Sequence, residues 1–223
     1  MIEVSQAIPY RGIRKSIGKR MEISGAYPMT YQGMYVDVTE LPGYECGHSC
    51  RDAKKGVSLT VNDFIVKAVS LALQRTPIMN SAFNEDMSQI LVYSNYNISV
   101  MTASDKGLVA PVIKESEKKS IYQISEEMKA LVEKANAGKL MPEDYAGGTF
   151  GVTNLGKLNS FDSVPLPQPP QPAIMAACTA KKMAVVVEGE NGEDVIVPRV
   201  MMKLVIGGDH RILQGVPLAQ FIN

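Results

Sequence analysis

Two stretches of this chain carry complete helix signals, and most of what lies between and after them alternates or breaks too often to extend either one. Thr60 followed by Asp63 reads as an N-cap with a carboxylate in the first turn, and Val61, Phe64, Ile65, Ala68 and Ala72 keep helical spacing up to Thr76-Pro77. Ser120 with Gln123 forms a capping box, after which Ile121, Ile124, Met128, Leu131, Val132 and Ala135 recur at helical spacing until Asn136-Ala137-Gly138. A shorter stripe, Ile13, Ile17 and Met21, ends at Ser24-Gly25 and predicts a first helix. Its other face carries Arg11, Arg14, Lys15, Lys19 and Arg20, which reads as solvated surface.

The remainder has a period of two. From Thr30 to Thr39, Met34, Val36 and Val38 fall on one side and Tyr35, Asp37 and Thr39 on the other, as a half-buried strand requires. Further strands are predicted at Ile90–Tyr93, Asn97–Thr102 and Leu108–Ile113. After the second long helix they follow at Thr149–Asn154, Ala173–Thr179, Met183–Glu188, Asp194–Val197 and Met201–Ile206. Asn191-Gly192 between two Val-rich runs signals a hairpin. The segment Tyr44–Gly56 shows no clear periodicity and reads as loop or frayed helix. Five prolines in Val164–Pro172 force an extended connection with few backbone hydrogen bonds. A few long helices with many strands, no internal repeat and no linker predict one α/β domain over residues 1–223, a mixed sheet with helices packed on it.

Charge excludes some functions. Lys plus Arg and Asp plus Glu both number 23, so no excess of positive charge exists to hold a nucleic acid. The longest uncharged stretches, Met87–Ser104 and Ser163–Ala180, are interrupted by Asn and Ser or by proline, and neither reads as a membrane span. Met1–Ser5 lacks the basic-then-apolar order of a signal peptide, and three Cys make no disulfide framework, so the cytoplasm is the expected compartment. Cys46-x-His48-x-Cys50 offers three soft ligands but neither zinc-site spacing nor a fourth ligand, so no metal is expected. Cys178, within an apolar run, reads as a small buried hydrophobe.

The chain has only two His. His210, in Gly207-Gly208-Asp209-His210-Arg211-Ile212-Leu213-Gln214-Gly215, follows an apolar strand, at a strand end of the kind that often holds an active site. An imidazole with an ordinary pKa near 6.5 suits a general base for a thiol or hydroxyl at neutral pH. A hydrogen-bonded turn histidine is the plainer alternative.

From this segment outward the chain resembles the acyltransferase cores of 2-oxo acid dehydrogenase complexes, the dihydrolipoamide acyltransferases, and the related chloramphenicol acetyltransferases. Asp209-His210-Arg211 with Gly215 is similar to their His-x-x-x-Asp-Gly signature. Arg14–Met21, Lys67-Ala68 with Pro77–Asn80, Gly107–Ile113, Gly147–Gly156 and Pro169-Pro170 before Ala173-Ile174 match further motifs in the same order over nearly the whole chain. The resemblance implies a chloramphenicol-acetyltransferase-like fold and a homotrimer that moves an acyl group between coenzyme A and a dihydrolipoyl thiol presented by another domain or chain. It implies His210 as base and Thr153 as oxyanion donor, brought together from neighbouring subunits, so that a lone chain is inactive. Gln214 takes the orienting position. Thr60, Asn154 and Cys178 fall where family members touch coenzyme A, and Arg14 and Lys15 are candidates for its phosphates on composition.

The chain departs from that pattern in three places. The signature Asp is Gln214, which keeps hydrogen-bonding capacity but removes a charge expected to pair with an arginine; reduced or retuned activity is the expectation. Glu45 stands where many members have an arginine for coenzyme A, which weakens the expected affinity for it, and Arg51 is a candidate substitute that nothing in the sequence supports further. Lipoyl and peripheral-subunit-binding segments and an apolar C-terminal helix past Phe221-Ile222 are absent from the sequence, which suggests an excised or short core with the trimer as its limit of assembly. Ser104-Asp105-Lys106-Gly107 is superficially like a lipoylation hairpin, but its surroundings place it in a strand connection of the core, so Lys106 is not expected to carry lipoate. Two other readings remain open from the sequence: a non-catalytic scaffold subunit, and a free-standing acetyltransferase for a small molecule.

Overall fold

A computed structural model of the chain describes residues 3–41, 50–52, 57–104 and 107–223. The α-helices among the described residues are α1 (Ile13–Gly25), α2 (Val61–Arg75), α3 (Ile121–Ala137), α4 (Pro142–Tyr145) and α5 (Gly215–Ile222). The strands of the first half are β1 (Met29–Asp37), β2 (Cys50–Asp52), β3 (Val57–Leu59), β4 (Ser81–Phe83), β5 (Ile90–Val92), β6 (Ile98–Ser104), β7 (Gly107–Val109) and β8 (Val112–Ile113). Those of the second half are β9 (Phe150–Asn154), β10 (Ala173–Ala177), β11 (Lys181–Glu188) and β12 (Asp194–Asp209).

The helix signals act as physical chemistry requires. The buried Asp63 carboxylate accepts the Thr60 backbone N–H at 2.7 Å and so closes the start of α2. Ser120 and Gln123 exchange the two bonds of their box at 3.3 and 2.8 Å, and α3 ends at Gly138 in the left-handed conformation, φ 66°.

The principal sheet has eight strands, with the path β1-β12-β10-β9-β6-β7, β11 paired to β12 and β8 to β6. It is mixed: β10 with β9 and β9 with β6 are parallel, the other pairs antiparallel. Val66 and Leu73 of α2, Ile124 and Leu131 of α3, and Leu218 and Phe221 of α5 join Ile98, Phe150 and Ile206 of the sheet in one buried cluster. The Phe150 and Phe221 rings lie 5.2 Å apart within it. This is a helix layer on a mixed sheet, the α/β architecture expected.

Several expectations need correction. Asp194–Val197 and Met201–Ile206 are one strand of 16 residues that runs through Pro198. Pro198 pairs with Ala184 of β11, while β1 joins β12 only from Met201 onward, so the missing N–H falls where the strand is paired on one side. Leu108–Ile113 is two short strands with Pro111 between them. Within Tyr44–Gly56, Cys50–Asp52 is a strand paired with β3 rather than loop or helix. The rest of that segment, including Glu45, Cys46 and His48, lies outside the described residues, as do Asp105 and Lys106. β4 and α5 had no sequence signal. Among the described residues no helix is long and apolar enough to cross a membrane, and no cluster of three or more His, Cys, Asp or Glu could hold a metal ion.

Candidate active site

Strand β12 carries Gly207 and Gly208 to the end of the sheet, and each glycine is there because something presses on it. A Cβ on Gly207 would meet the Pro165 carbonyl oxygen and the Tyr31 ring, both at 2.7 Å; one on Gly208 would meet Leu213 at 3.0 Å. The proline-rich connection thus crosses Gly207, and the segment leading into α5 lies against Gly208.

Asp209 follows, 2% exposed, and organises the turn around His210. Its carboxylate takes two parallel bonds from Arg211, Nε to Oδ1 at 2.9 Å and Nη2 to Oδ2 at 2.6 Å, and its carbonyl accepts the Ile212 and Leu213 N–H groups. Hydrogen bonding to Asp209 raises the Arg211 pKa further above its usual value. The guanidinium carbon lies 4.5 Å from the centroid of the Tyr27 ring and 5.4 Å from that of Phe83. Burial pushes the Tyr27 phenol up, with Arg211 opposing. His210 is exposed on the surface of the chain, and its backbone N–H donates to the Pro28 carbonyl at 2.7 Å. Gln214 sits at the N-cap of α5 with an exposed side chain that makes no cap bond. Arg211 is therefore not orphaned by the amide at position 214: Asp209, two residues before it, holds it.

Thr153 and Asn154 are at the other end of the sheet. Thr153 is in register with Ala176 of β10, and Ala176 with Val205 of β12, five residues short of His210. Strand geometry then separates Thr153 from His210 of the same chain by about 17 Å along the strands and about 10 Å across them. The two cannot meet within one chain.

At Asn154, the residue after Thr153, opens a cleft of about 620 Å³, within the range of small-molecule sites, and Thr153 itself is not among its lining residues. It gathers three of the residues singled out for coenzyme A, Thr60, Asn154 and Cys178; Arg14, on the exposed side of α1, is not among its lining residues. Asn154 makes the turn after β9, accepting the Gly156 N–H at 2.8 Å and donating to Asn62 Oδ1 at 2.6 Å. Cys178 is buried in the wall, and loss of hydration pushes its thiol pKa up, so it is a poor nucleophile. Met128, Val132 and Met202 make apolar surface, and exposed Lys129 and Lys157 supply cations at the rim. Asn62, Lys129 and Lys157 were missed in the sequence; only the position of Asn62 in the first turn of a capped helix could have pointed to it.

Comparison with known proteins gives the family and the fold. Residues 3–223 match the family described as 2-oxoacid dehydrogenases acyltransferase (catalytic domain). Over 222 residues the chain is 35% identical to the dihydrolipoyllysine-residue acetyltransferase component of the pyruvate dehydrogenase complex of Rickettsia conorii, covering 99% of this chain and 52% of that protein. It is 36% identical to the lipoamide acyltransferase component of the branched-chain alpha-keto acid dehydrogenase complex of Bacillus subtilis, covering 97% and 50%. The chain thus spans about half the length of these relatives.

Among solved structures, a probable dihydrolipoamide acetyltransferase from Listeria monocytogenes superposes with a TM-score of 0.87 at 36% identity, covering 98% of this chain and 91% of that one. The Azotobacter vinelandii dihydrolipoamide acetyltransferase also gives 0.87, at 26% identity over 99% and 88%. In that enzyme a serine, a histidine and an asparagine four residues after the histidine were investigated for their role in catalysis. A chloramphenicol acetyltransferase shares the fold, TM-score 0.54 at 14% identity, covering 91% and 90%. The class the structure defines is thus an α/β domain with the chloramphenicol acetyltransferase fold. Within that class, the chain belongs to the family of acyltransferase catalytic domains of 2-oxoacid dehydrogenases.

Proposed function

We propose that the protein transfers an acyl group between a dihydrolipoyl thiol and coenzyme A, and that it does so as a homotrimer with one site at each contact between chains. The observation that carries this reading is the split of the machinery: an exposed histidine on a hydrogen-bonded turn at one end of the sheet, and at the other a half-buried threonine whose next residue, Asn154, lines a cleft. A cyclic arrangement in which the His210 end of one chain meets the Thr153 end of the next makes one complete site at each of three identical contacts.

In that site the cleft takes coenzyme A. Its amides and hydroxyls suit Thr60 and Asn62, its phosphates suit Lys129 and Lys157, and its thiol end is directed toward Thr153. His210 takes the thiol proton, and the thiolate sulfur attacks the thioester carbonyl of the acylated lipoyl group. The Thr153 hydroxyl donates to the oxyanion of the tetrahedral intermediate. Collapse breaks the bond to the lipoyl sulfur, which leaves with the proton held on the imidazolium. The lipoyl group arrives on a domain of another chain or of a longer form of this one.

Gln214 does not stand against this chemistry. The Azotobacter enzyme has an amide, asparagine, at the same distance from its histidine. A carboxamide at that position is compatible with an acetyltransferase, and Asp209 supplies the negative charge for Arg211.

Acetyl transfer from acetyl-coenzyme A to free dihydrolipoamide, with His210→Ala as control, tests the reading. Turnover that disappears in the control is the expected result. Zero turnover in the unmutated trimer supports a scaffold subunit instead, and turnover only with a small hydroxylated acceptor supports a free-standing acetyltransferase.

A further inference from the structure

The segment that joins α1 to β1 touches both the candidate base and the residue after it. Tyr27 lies under the Arg211 guanidinium, and the carbonyl of Pro28 accepts the His210 backbone N–H. The same segment is tied to the proline-rich connection, because the buried Ser24 hydroxyl donates to the Pro167 carbonyl at 2.7 Å. Arg211 has three partners: the fork of bonds to Asp209, the Tyr27 ring, and the Phe83 ring on β4.

We propose that Tyr27 is a positioning residue for the acyl transfer, fixing the direction of the His210 imidazole through Arg211 and the Pro28 carbonyl. The proposal rests on the function assigned above, but the chain's geometry carries it. His210 itself is exposed and stands between two anchored neighbours, Asp209 and Arg211. Of these Asp209 is locked inside the sheet, whereas the Arg211 side chain is 34% exposed. A guanidinium that open to water has alternatives to a single ion pair. Contact with two aromatic rings, their centroids 4.5 and 5.4 Å from the guanidinium carbon, restricts them, since a cation attracted to the rings keeps its fork near the carboxylate. Loss of the Tyr27 ring frees Arg211 to turn toward solvent and lets the 210–211 peptide rock, which moves the imidazole off the line to the thiol.

The role predicts a separation of effects. The ring acts at the His210 end and the coenzyme A cleft lies at the Thr153 end. Tyr27→Leu in the assembled protein is expected to lower kcat by about 10- to 100-fold, the scale of a misplacement near 1 Å, while KM for coenzyme A stays within about twofold of the parent. Tyr27→Phe keeps the ring and is expected to restore kcat to within about threefold of the parent.

A second readout does not depend on turnover. With only two His in the chain, His48→Gln leaves His210 as the single imidazole, and selective ¹³C-histidine labelling reports it by NMR. Tyr27→Leu is expected to shift or split that resonance and Tyr27→Phe to leave it in place. If Tyr27→Leu fails to assemble, Phe83→Leu carries the same pair of measurements, with a smaller effect because that ring is farther from the guanidinium.

The proposal is overturned if Tyr27→Leu leaves the imidazole resonance unchanged, if KM rises as kcat falls, or if Tyr27→Phe loses as much as Tyr27→Leu. If the parent protein transfers no acyl group to dihydrolipoamide, the functional reading fails while the resonance still decides whether Tyr27 positions His210.

Discussion

The two ends of the central sheet are built for different work. At the His210 end every neighbour is fixed. Asp209 is buried and paired, Arg211 lies close to two aromatic rings, and Gly207 and Gly208 admit the proline-rich connection and the approach to α5. At the Thr153 end the wall opens into a cleft rimmed by exposed Lys129, whose ammonium donates to the Ser58 carbonyl at 2.6 Å, and exposed Lys157. The contrast suits a site in which a preorganised base must point one way while a long, flexible substrate enters and leaves opposite it. The strand register sets the two groups at opposite ends of a chain, so in the proposed function a neighbour completes the site.

Substitutions can break or sharpen this contrast. The largest effect is expected at the fixed end, where His210→Ala lowers kcat by about 10³-fold with little change in the thermal midpoint. At the open end, Thr153→Ala is expected to lower kcat by about 10²-fold through loss of one oxyanion donor, again with little change in midpoint. Steady-state turnover and a thermal melt of each variant check both.

Asp209→Ala inverts the pattern by acting on stability. Breaking a buried ion pair costs about 3–5 kcal/mol, and the exposure of Arg211 reduces this to about 2–3 kcal/mol, a fall of about 5–10 °C in thermal midpoint. An equal fall for a substitution in the cleft would erase the distinction between the ends. Asn62→Ala removes the acceptor for Asn154 and is expected to raise KM for coenzyme A by about 5-fold with kcat preserved.

The smallest effect concerns Cys178. Its raised pKa means that folded protein holds the thiol proton at pH values where the unfolded chain has begun to release it, so the thiol's contribution to stability falls as pH rises through the ordinary thiol range. In a Cys46→Ser, Cys50→Ser background, maleimide labelling at pH 8 is expected to be about tenfold slower for folded than for unfolded protein.

Legibility in the sequence followed how local the signal was. α2, α3 and the β11–β12 hairpin are specified by caps, spacing and Asn191-Gly192, all within a few residues, and the structure has them where the patterns put them. β12 was divided at Pro198, because proline reads as a break unless it is known that one side of the strand is unpaired there. β4 is three residues long and α5 eight, too short for periodicity to register. The site shows the same division. His210 stands out as one of only two histidines at a strand end, and the family motifs drew attention to Thr153, Thr60, Asn154 and Cys178. The pairing of Arg211 with Asp209 was not legible, since an arginine's partner depends on the turn that folds the chain back on itself. Nor was the contribution of Asn62, Lys129 and Lys157, which come from three separate elements and share only a cleft.

The central claim is that the base and the oxyanion donor of each site come from different chains. Unfolding His210→Ala and Thr153→Ala proteins together and refolding the mixture tests it directly, because each variant supplies the group the other lacks. With random assembly of equal amounts, about one site in four receives both intact groups, so the mixture is expected to recover about a quarter of the parent's turnover from two inactive proteins. A mixture that assembles into trimers yet stays as inactive as its components would contradict the account.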